Sequence, residues 1–139
     1  MVSFRNGARQ PHGHQGLFPG LVLHLDPDVL RREGALCEGD EVEGDHFFLC
    51  VSVEPDRDET FWVPLSSKAR DGRVLLPSTT KRGDHSWVRR PTYAVGDQLW
   101  LATSMAVFEA ARVARQYSCG GARNRLTENG LRMVLDHVG

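Results

Sequence analysis

The sequence predicts an α+β fold: a small, strongly bent antiparallel sheet or barrel, with helices gathered at the C-terminal end. Three observations carry this. Five or six short runs rich in apolar, aromatic and β-branched residues lie between Gly20 and Thr103, punctuated by Gly, Pro and Asp. Two of them flank Pro55-Asp56-Arg57-Asp58, so they read as a hairpin. Beyond Thr103 the chain turns alanine-rich and then amphipathic, which is the periodicity of helices. At 139 residues the chain is one domain's worth, long enough to bury a core.

Residues 1–19 hold Asn6-Gly7, Pro11, His12-Gly13-His14 and Pro19 without periodicity, and read as a flexible N-terminal arm. Residues 20–139 form a single domain. Leu21 to Leu25 is a buried strand. Asp26 caps a turn or short helix that has Pro27 in its first position and runs through Leu30. Gly34 to Asp45 is an acidic, glycine-punctuated loop. His46-Phe47-Phe48-Leu49-Cys50-Val51-Ser52-Val53 is the strongest strand, and Thr60 to Leu65 is its hairpin partner. Pro64 is expected at the end of that partner or on a sheet edge.

Arg73 to Leu76 reads as a third strand, and Lys81-Arg82-Gly83-Asp84 as a turn. His85 to Arg90 reads as a further strand and Gln98 to Thr103 as the last. The alanine-rich stretch 105–117 is a helix with Ser104 as cap and Phe108, Ala111 and Ala114 on one face. Gly120-Gly121 ends it. A final helix follows Thr127, with Leu131, Val134, Leu135 and Val138 at apolar spacing.

Charge is unevenly spread. Asp26 to Glu59 carries twelve acidic residues against three arginines, a net of −9, whereas Thr60 to Gly139 carries +6. Either the two regions are separate surfaces, one suited to phosphate and one to a basic partner, or they cancel as surface ion pairs. No apolar run approaches the ~20 residues that cross a bilayer. No secretory signal block opens the chain, so the expected address is cytoplasmic, without membrane contact. Cys37, Cys50 and Cys119 form no Cys-x-x-Cys pair, which argues against a disulfide framework or zinc ribbon. Cys50 reads as inert core and Cys37 as exposed. No dinucleotide fingerprint, P-loop, nucleophile elbow or His-Glu-x-x-His motif is present; no cofactor or metal is expected.

A polar cluster remains at strand ends. If the hairpin pairs across its turn, His46 lies opposite residues 66–68. His46, Ser66, Ser67, Lys68 and Arg70 then converge at one mouth. That set suffices for phosphodiester cleavage. His46 would move the proton of the 2′-hydroxyl or of the leaving oxygen. The serines would hold phosphate and the cations would neutralise its transition-state charge. The competing reading is ordinary strand-end and turn chemistry. The stretch Lys81, Arg82, Trp87, Arg89 and Arg90 interleaves cations with an aromatic, as single-stranded nucleic acid requires. The competing reading packs Trp87 inward. Trp62 and Trp100 sit in apolar strands and read as core.

Five segments recur in a known order: Pro19-Gly20-Leu21-Val22-Leu23-His24-Leu25-Asp26, then His46-Phe47-Phe48-Leu49-Cys50-Val51, Pro64-Leu65-Ser66-Ser67-Lys68, Asp97-Gln98-Leu99-Trp100 and the helix Thr127–Val138. This order resembles the PemK/MazF growth-inhibitor toxins. The resemblance implies an SH3-like barrel with helices, a homodimer, an antitoxin partner and cutting of single-stranded RNA. His46 matches the place of that family's arginine and Ser66 that of its threonine. A histidine there either takes over acid–base work or marks lost activity. The helix at 105–117 exceeds the family pattern.

The leading expectation is therefore a toxin-like, metal-independent endoribonuclease. His46 and Ser66 would be central, and Ser67, Lys68, Arg70, Lys81, Arg82, Trp87, Arg89 and Arg90 would grip RNA. Its rivals are a non-catalytic SH3-like module that binds nucleic acid or protein, and an inhibitor acting through the acidic segment.

Overall fold

The computed structural model describes residues 16–39, 46–114 and 123–138. Strand β1 (Val22–Leu25) leads into helix α1 (Pro27–Arg32) and strand β2 (Leu36–Glu38). The long hairpin follows as β3 (His46–Glu54) and β4 (Glu59–Ser66). Next come β5 (Val74–Leu75), β6 (Lys81–Arg82), helix α2 (His85–Arg89), β7 (Tyr93–Ala94) and β8 (Leu99–Ala102). Helix α3 (Ser104–Val113), β9 (Arg125–Leu126) and helix α4 (Glu128–Leu135) complete the described chain.

Seven strands make one antiparallel sheet in the order β1-β3-β4-β7-β5, with β8 pairing both β4 and β2. Strands β6 and β9 pair separately. The path from β1 to β5 does not close. The fold is thus α+β with an open antiparallel sheet, and not a closed barrel.

Strand β3 reads as nearly continuous apolar sequence because both of its faces are buried. Phe48 and Cys50 join Trp62, Trp100, Leu25 and Leu30 in one core cluster, which α3 covers with Ala106, Val107 and Ala110. Leu49 and Val51 join Val63, Leu65, Trp87, Leu126 and Val134 in a second cluster on the other face. The register shifts between Cys50 and Ser52, which face Trp62 and Phe61. This bulge adds one residue and reverses the face parity. Val53 consequently packs with Phe48 and Cys50, although simple alternation would put it with Leu49 and Val51.

Two buried tryptophans, Trp62 and Trp100, are direct partners across β4 and β8. Each solves its indole N–H in the same way, by donating to a polar residue two positions back on its own strand face. Trp62 Nε1 donates to Thr60 Oγ1 at 2.7 Å, and Trp100 Nε1 to Gln98 Oε1 at 3.2 Å. Thr60 Oγ1 in turn donates to Ala102 O at 2.8 Å. Phe48 meets Trp100 edge-on at 5.7 Å between ring centres.

The capped ends follow local chemistry. Asp26 accepts from the amides of Asp28 and Val29, with Pro27 opening α1. Thr127 accepts from Gly130 N at the start of α4. The hairpin turn is a short 3-10 segment, Pro55–Arg57, followed by Asp58 at φ +51°. Its carboxylate accepts from Ser104 N and Ser104 Oγ, at 3.1 and 2.7 Å, which fixes a non-glycine residue in the left-handed region.

Several expectations need correction. Leu17 is buried and Phe18 packs against the core, so the ordered chain begins before residue 20; residues 1–15, with His12 and His14, lie outside the described residues. Part of the loop expected at 34–45 is strand β2, while 40–45 lies outside the described residues. The strand expected at 73–76 shrinks to Val74–Leu75. Residues 85–89 are helix α2 instead of a strand, because Trp87 turns inward and donates to Arg82 O at 3.0 Å. The cap of α3 is Thr103, whose Oγ1 accepts from Ala106 N, and Ser104 is its first residue. Ala106, Val107 and Ala110 make the most buried face of α3; Ala111 and Ala114 pack inward as expected, and Phe108 is exposed. Leu135 of α4 is exposed as well. Residues 115–122, including Cys119 and Gly120-Gly121, lie outside the described residues. Pro64 is neither at an end nor on an edge. It sits where β4 exchanges β8 for β7 as its neighbour, and its carbonyl accepts from Val95 N at 2.9 Å.

Thr60 is fully buried between the two tryptophans' strands. Thr60→Val keeps the shape but strands the Trp62 indole N–H and the Ala102 carbonyl, so it should lower stability by ~1–3 kcal/mol. Urea unfolding followed by tryptophan fluorescence checks this; an unchanged midpoint would show that the hydrogen bonds matter little.

Candidate functional site

The site grows from the hairpin register. Phe48 faces Pro64 and Leu49 faces Val63. Continuing that register by one pair on the same face sets His46 against Ser66. Opposite residues in an antiparallel pair share a face. The side chain of His46 confirms the closeness: its Nδ1–H donates to Leu65 O at 3.1 Å. That bond assigns Nε2 as the acceptor nitrogen when the ring is neutral.

A cavity of about 640 Å³ opens at this end of the sheet. His46, Ser66, Ser67, Lys68 and Arg70 all line it, as the sequence expects of one mouth. Arg90 joins them from the basic stretch, beyond the end of α2. The remaining wall comes from His24 and Phe47 and from the β7–β8 turn, which brings Asp97 and Gln98. His24 and Phe47 are opposite residues on β1 and β3, with ring centres 5.2 Å apart. Four cations, Lys68, Arg70, Arg73 and Arg90, face two carboxylates, Asp71 and Asp97. The cavity wall is therefore net cationic, which suits an anionic ligand.

Arg73, just before β5, also lines the wall, a role that its place in an expected strand does not suggest. It is half-buried, and its Nη1 donates to Ser66 Oγ at 2.9 Å and to Lys68 O at 2.8 Å. Lys68 N also donates to Ser66 Oγ, at 3.1 Å. The loop 66–73 is thus folded around one guanidinium. The only sequence signal was an arginine following Asp71-Gly72, a common turn. His24 and Asp97 were likewise not singled out, since each belongs to a segment read as strand or turn.

The rest of the expected RNA-contacting set divides in two. Lys81 and Trp87 are buried, at 2% exposure each; they stand behind the wall residues Arg90, Thr92 and Phe47 and face neither the cavity nor solvent. Lys81 Nζ donates to Arg90 O and to Thr92 Oγ1, and lies 4.9 Å from the centre of the Trp87 ring. Trp87 packs on Phe47, 5.8 Å away. Arg82 and Arg89 are exposed but do not line the cavity: Arg82 donates to Thr79 O and Lys81 O, and Arg89 pairs with His85. Gly83 lets the chain pass close beside Asn124, because at φ +128° a Cβ there would stand 2.3 Å from Asn124 Oδ1.

Four ion pairs join close neighbours in sequence among the described residues: Arg31–Asp28, Arg32–Glu33, Arg57–Glu59 and Arg112–Glu109. Cys50 is buried and its thiol is pushed up to about 12 by desolvation, which makes it unreactive. Cys37 is half-buried, not exposed as expected. Burial raises its thiol too; Arg31 opposes this and Glu38 adds to it.

Burial holds the Lys81 ammonium below the usual lysine range. A folded pKa below the unfolded one means that the folded state sheds its proton first as pH rises. The unfolded chain then binds more protons, so stability rises with pH across that window. Wild type should gain stability relative to Lys81→Met between neutral pH and the ordinary lysine range. Paired urea titrations at two pH values measure this; a constant difference would show that Lys81 ionises as an ordinary exposed lysine.

No family model matches this chain, and neither the curated proteins nor the solved structures provide a match.

Proposed function

We propose that this chain is a metal-independent, toxin-like endoribonuclease that cuts single-stranded RNA. One observation supports the reading above all: His46, Ser66, Ser67, Lys68, Arg70 and Arg90 line a single cationic cavity. An RNA strand offers that cavity a backbone of phosphates and an internal nucleophile, the 2′-hydroxyl. Phosphodiester cleavage by that hydroxyl needs three things: a proton acceptor, a hold on the phosphate, and charge neutralisation in the transition state.

The residues fit these roles. Leu65 O fixes the His46 ring through Nδ1, so the neutral ring presents Nε2 as its basic nitrogen. It takes the 2′-hydroxyl proton as the 2′ oxygen bonds to phosphorus. The bond from phosphorus to the 5′ oxygen breaks, that oxygen takes a proton from solvent water as it leaves, and the His46 imidazolium returns its proton to the hydroxide so formed. The products are a 2′,3′-cyclic phosphate and a free 5′-hydroxyl. Ser66 and Ser67 contact phosphate oxygens, and Lys68, Arg70 and Arg90 balance the added negative charge. The SH3-like description belongs to the same reading as a relationship of strand order, since the sheet itself is open. An antitoxin partner and a homodimer belong to it also. Among the described residues, no helix is long and apolar enough to cross a membrane.

The test is cleavage of mixed-sequence single-stranded RNA with EDTA present. Wild type should cut. His46→Ala and Ser66→Ala, each folded by circular dichroism, should lose about a hundred-fold or more in rate. Failure of wild type to cut would turn the reading toward a non-catalytic binding module. Cutting that both substitutions leave intact would place the chemistry elsewhere.

A further inference from the structure

The cations of the cavity are not equivalent. Lys68, Arg70 and Arg90 are exposed, whereas Arg73 is half-buried and tied down at both Ser66 Oγ and Lys68 O. Ser66 Oγ accepts two hydrogen bonds, from Arg73 Nη1 and from Lys68 N. A serine oxygen has two acceptor positions and one proton. With both positions filled, the Ser66 proton is left for a third partner, and the residue lines the cavity. The guanidinium polarises that hydroxyl and strengthens it as a donor. The same arrangement leaves Ser66 poorly suited as a nucleophile or proton acceptor. The Nε and Nη2 groups of Arg73 donate to none of the described residues.

We infer that Arg73 and Ser66 together form a preorganised seat for a non-bridging phosphodiester oxygen, bound by the Ser66 hydroxyl and the open side of the Arg73 fork. This rests on, and deepens, the ribonuclease reading: it assigns to Arg73 the phosphate hold that the exposed cations supply only as mobile charge. The loop 66–73 is folded before ligand arrives, so little ordering is left for binding. The ligand class is a single-stranded nucleic acid backbone. Geometry, beyond net charge, sets its affinity, since a guanidinium fork matches phosphate in a way that an ammonium does not.

Binding of an all-deoxy single-stranded oligonucleotide, which lacks the attacking 2′-hydroxyl, tests the seat without turnover. Fluorescence anisotropy would compare wild type with Arg73→Gln, Arg73→Lys, Ser66→Ala, the Arg73→Gln/Ser66→Ala double variant and the remote Arg132→Gln. Arg73→Gln and Ser66→Ala should each weaken binding about ten-fold. The double variant should lose little more than either alone, because the two side chains act as one unit. Arg73→Lys should stay weak although it keeps the charge, and Arg132→Gln should stay within about two-fold of wild type.

Equal binding by Arg73→Gln and Arg132→Gln overturns the seat, and so does full affinity in Arg73→Lys or an additive double variant. Absence of binding by wild type overturns it too. If Arg73→Gln fails to fold, Arg73→Lys and Ser66→Ala decide the matter through the same comparison. The cleavage assay separates the two claims. Uncut RNA with the expected binding pattern leaves the seat standing and removes the ribonuclease. Cut RNA with Arg73→Gln indistinguishable from Arg132→Gln does the reverse.

Discussion

The register of β3 against β4 is the constraint on which the rest depends. Both strands are buried on both faces, and each face belongs to a different core cluster. A slip of one residue would send Phe48 and Cys50 into the cluster that holds Leu49 and Val63. β4 is tied in turn to β8, where Trp62 meets Trp100 and Thr60 meets Ala102. Trp62 Nε1, Thr60 Oγ1 and Ala102 O form one chain of hydrogen bonds there, so β4 cannot shift against β8 without stranding buried polar groups. The same register sets His46 against Ser66 at the far end. Core packing and site geometry are therefore consequences of one alignment, and no separate device is needed to bring the histidine to the serine.

This dependence explains what the sequence made legible. A hairpin is local: two strong strands and a proline-containing turn fix which residues face each other. His46, Ser66, Ser67, Lys68 and Arg70 could be assembled from that alone. Arg73 could not, because its role depends on how the 66–73 loop folds back, and a loop carries no periodicity. His24 enters the cavity only through pairing of β1 with β3, across the acidic loop. Asp97 arrives through the β7–β8 turn. Each of these requires knowing the strand order, which short strands of two to four residues do not reveal.

In the helices most of the expected face is met and single large residues are not: Ala111, Ala114, Leu131, Val134 and Val138 pack inward, whereas Phe108 and Leu135 are exposed. The alanine-rich stretch does form α3, but Ala106, Val107 and Ala110 make its most buried face and Phe108 is left outside. An alanine face lets the helix approach β1 and α1 closely, and a phenylalanine there would hold it away. The preference for large residues in choosing a buried stripe misplaced Phe108. At 85–89 the sequence carries one tryptophan amid polar residues, and neither helical nor strand spacing dominates. Tertiary packing of Trp87 onto Phe47, with Lys81 alongside, decides that segment.

Lys81 shows how this basic stretch serves the cavity. A lone buried ammonium is costly, and here it is offset by a carbonyl, a hydroxyl and an aromatic face, with no carboxylate among them. The carbonyl belongs to Arg90 and the hydroxyl to Thr92, both cavity residues. Its charge is turned inward to hold the backbone that carries an outward-facing arginine. The cations at and behind the cavity thus fall into three kinds: buried and architectural at Lys81, half-buried and preorganised at Arg73, exposed and adaptable at Lys68, Arg70 and Arg90. A fixed guanidinium flanked by exposed cations joins one geometrically set donor to several adaptable charges. The order of burial around the cavity follows that division.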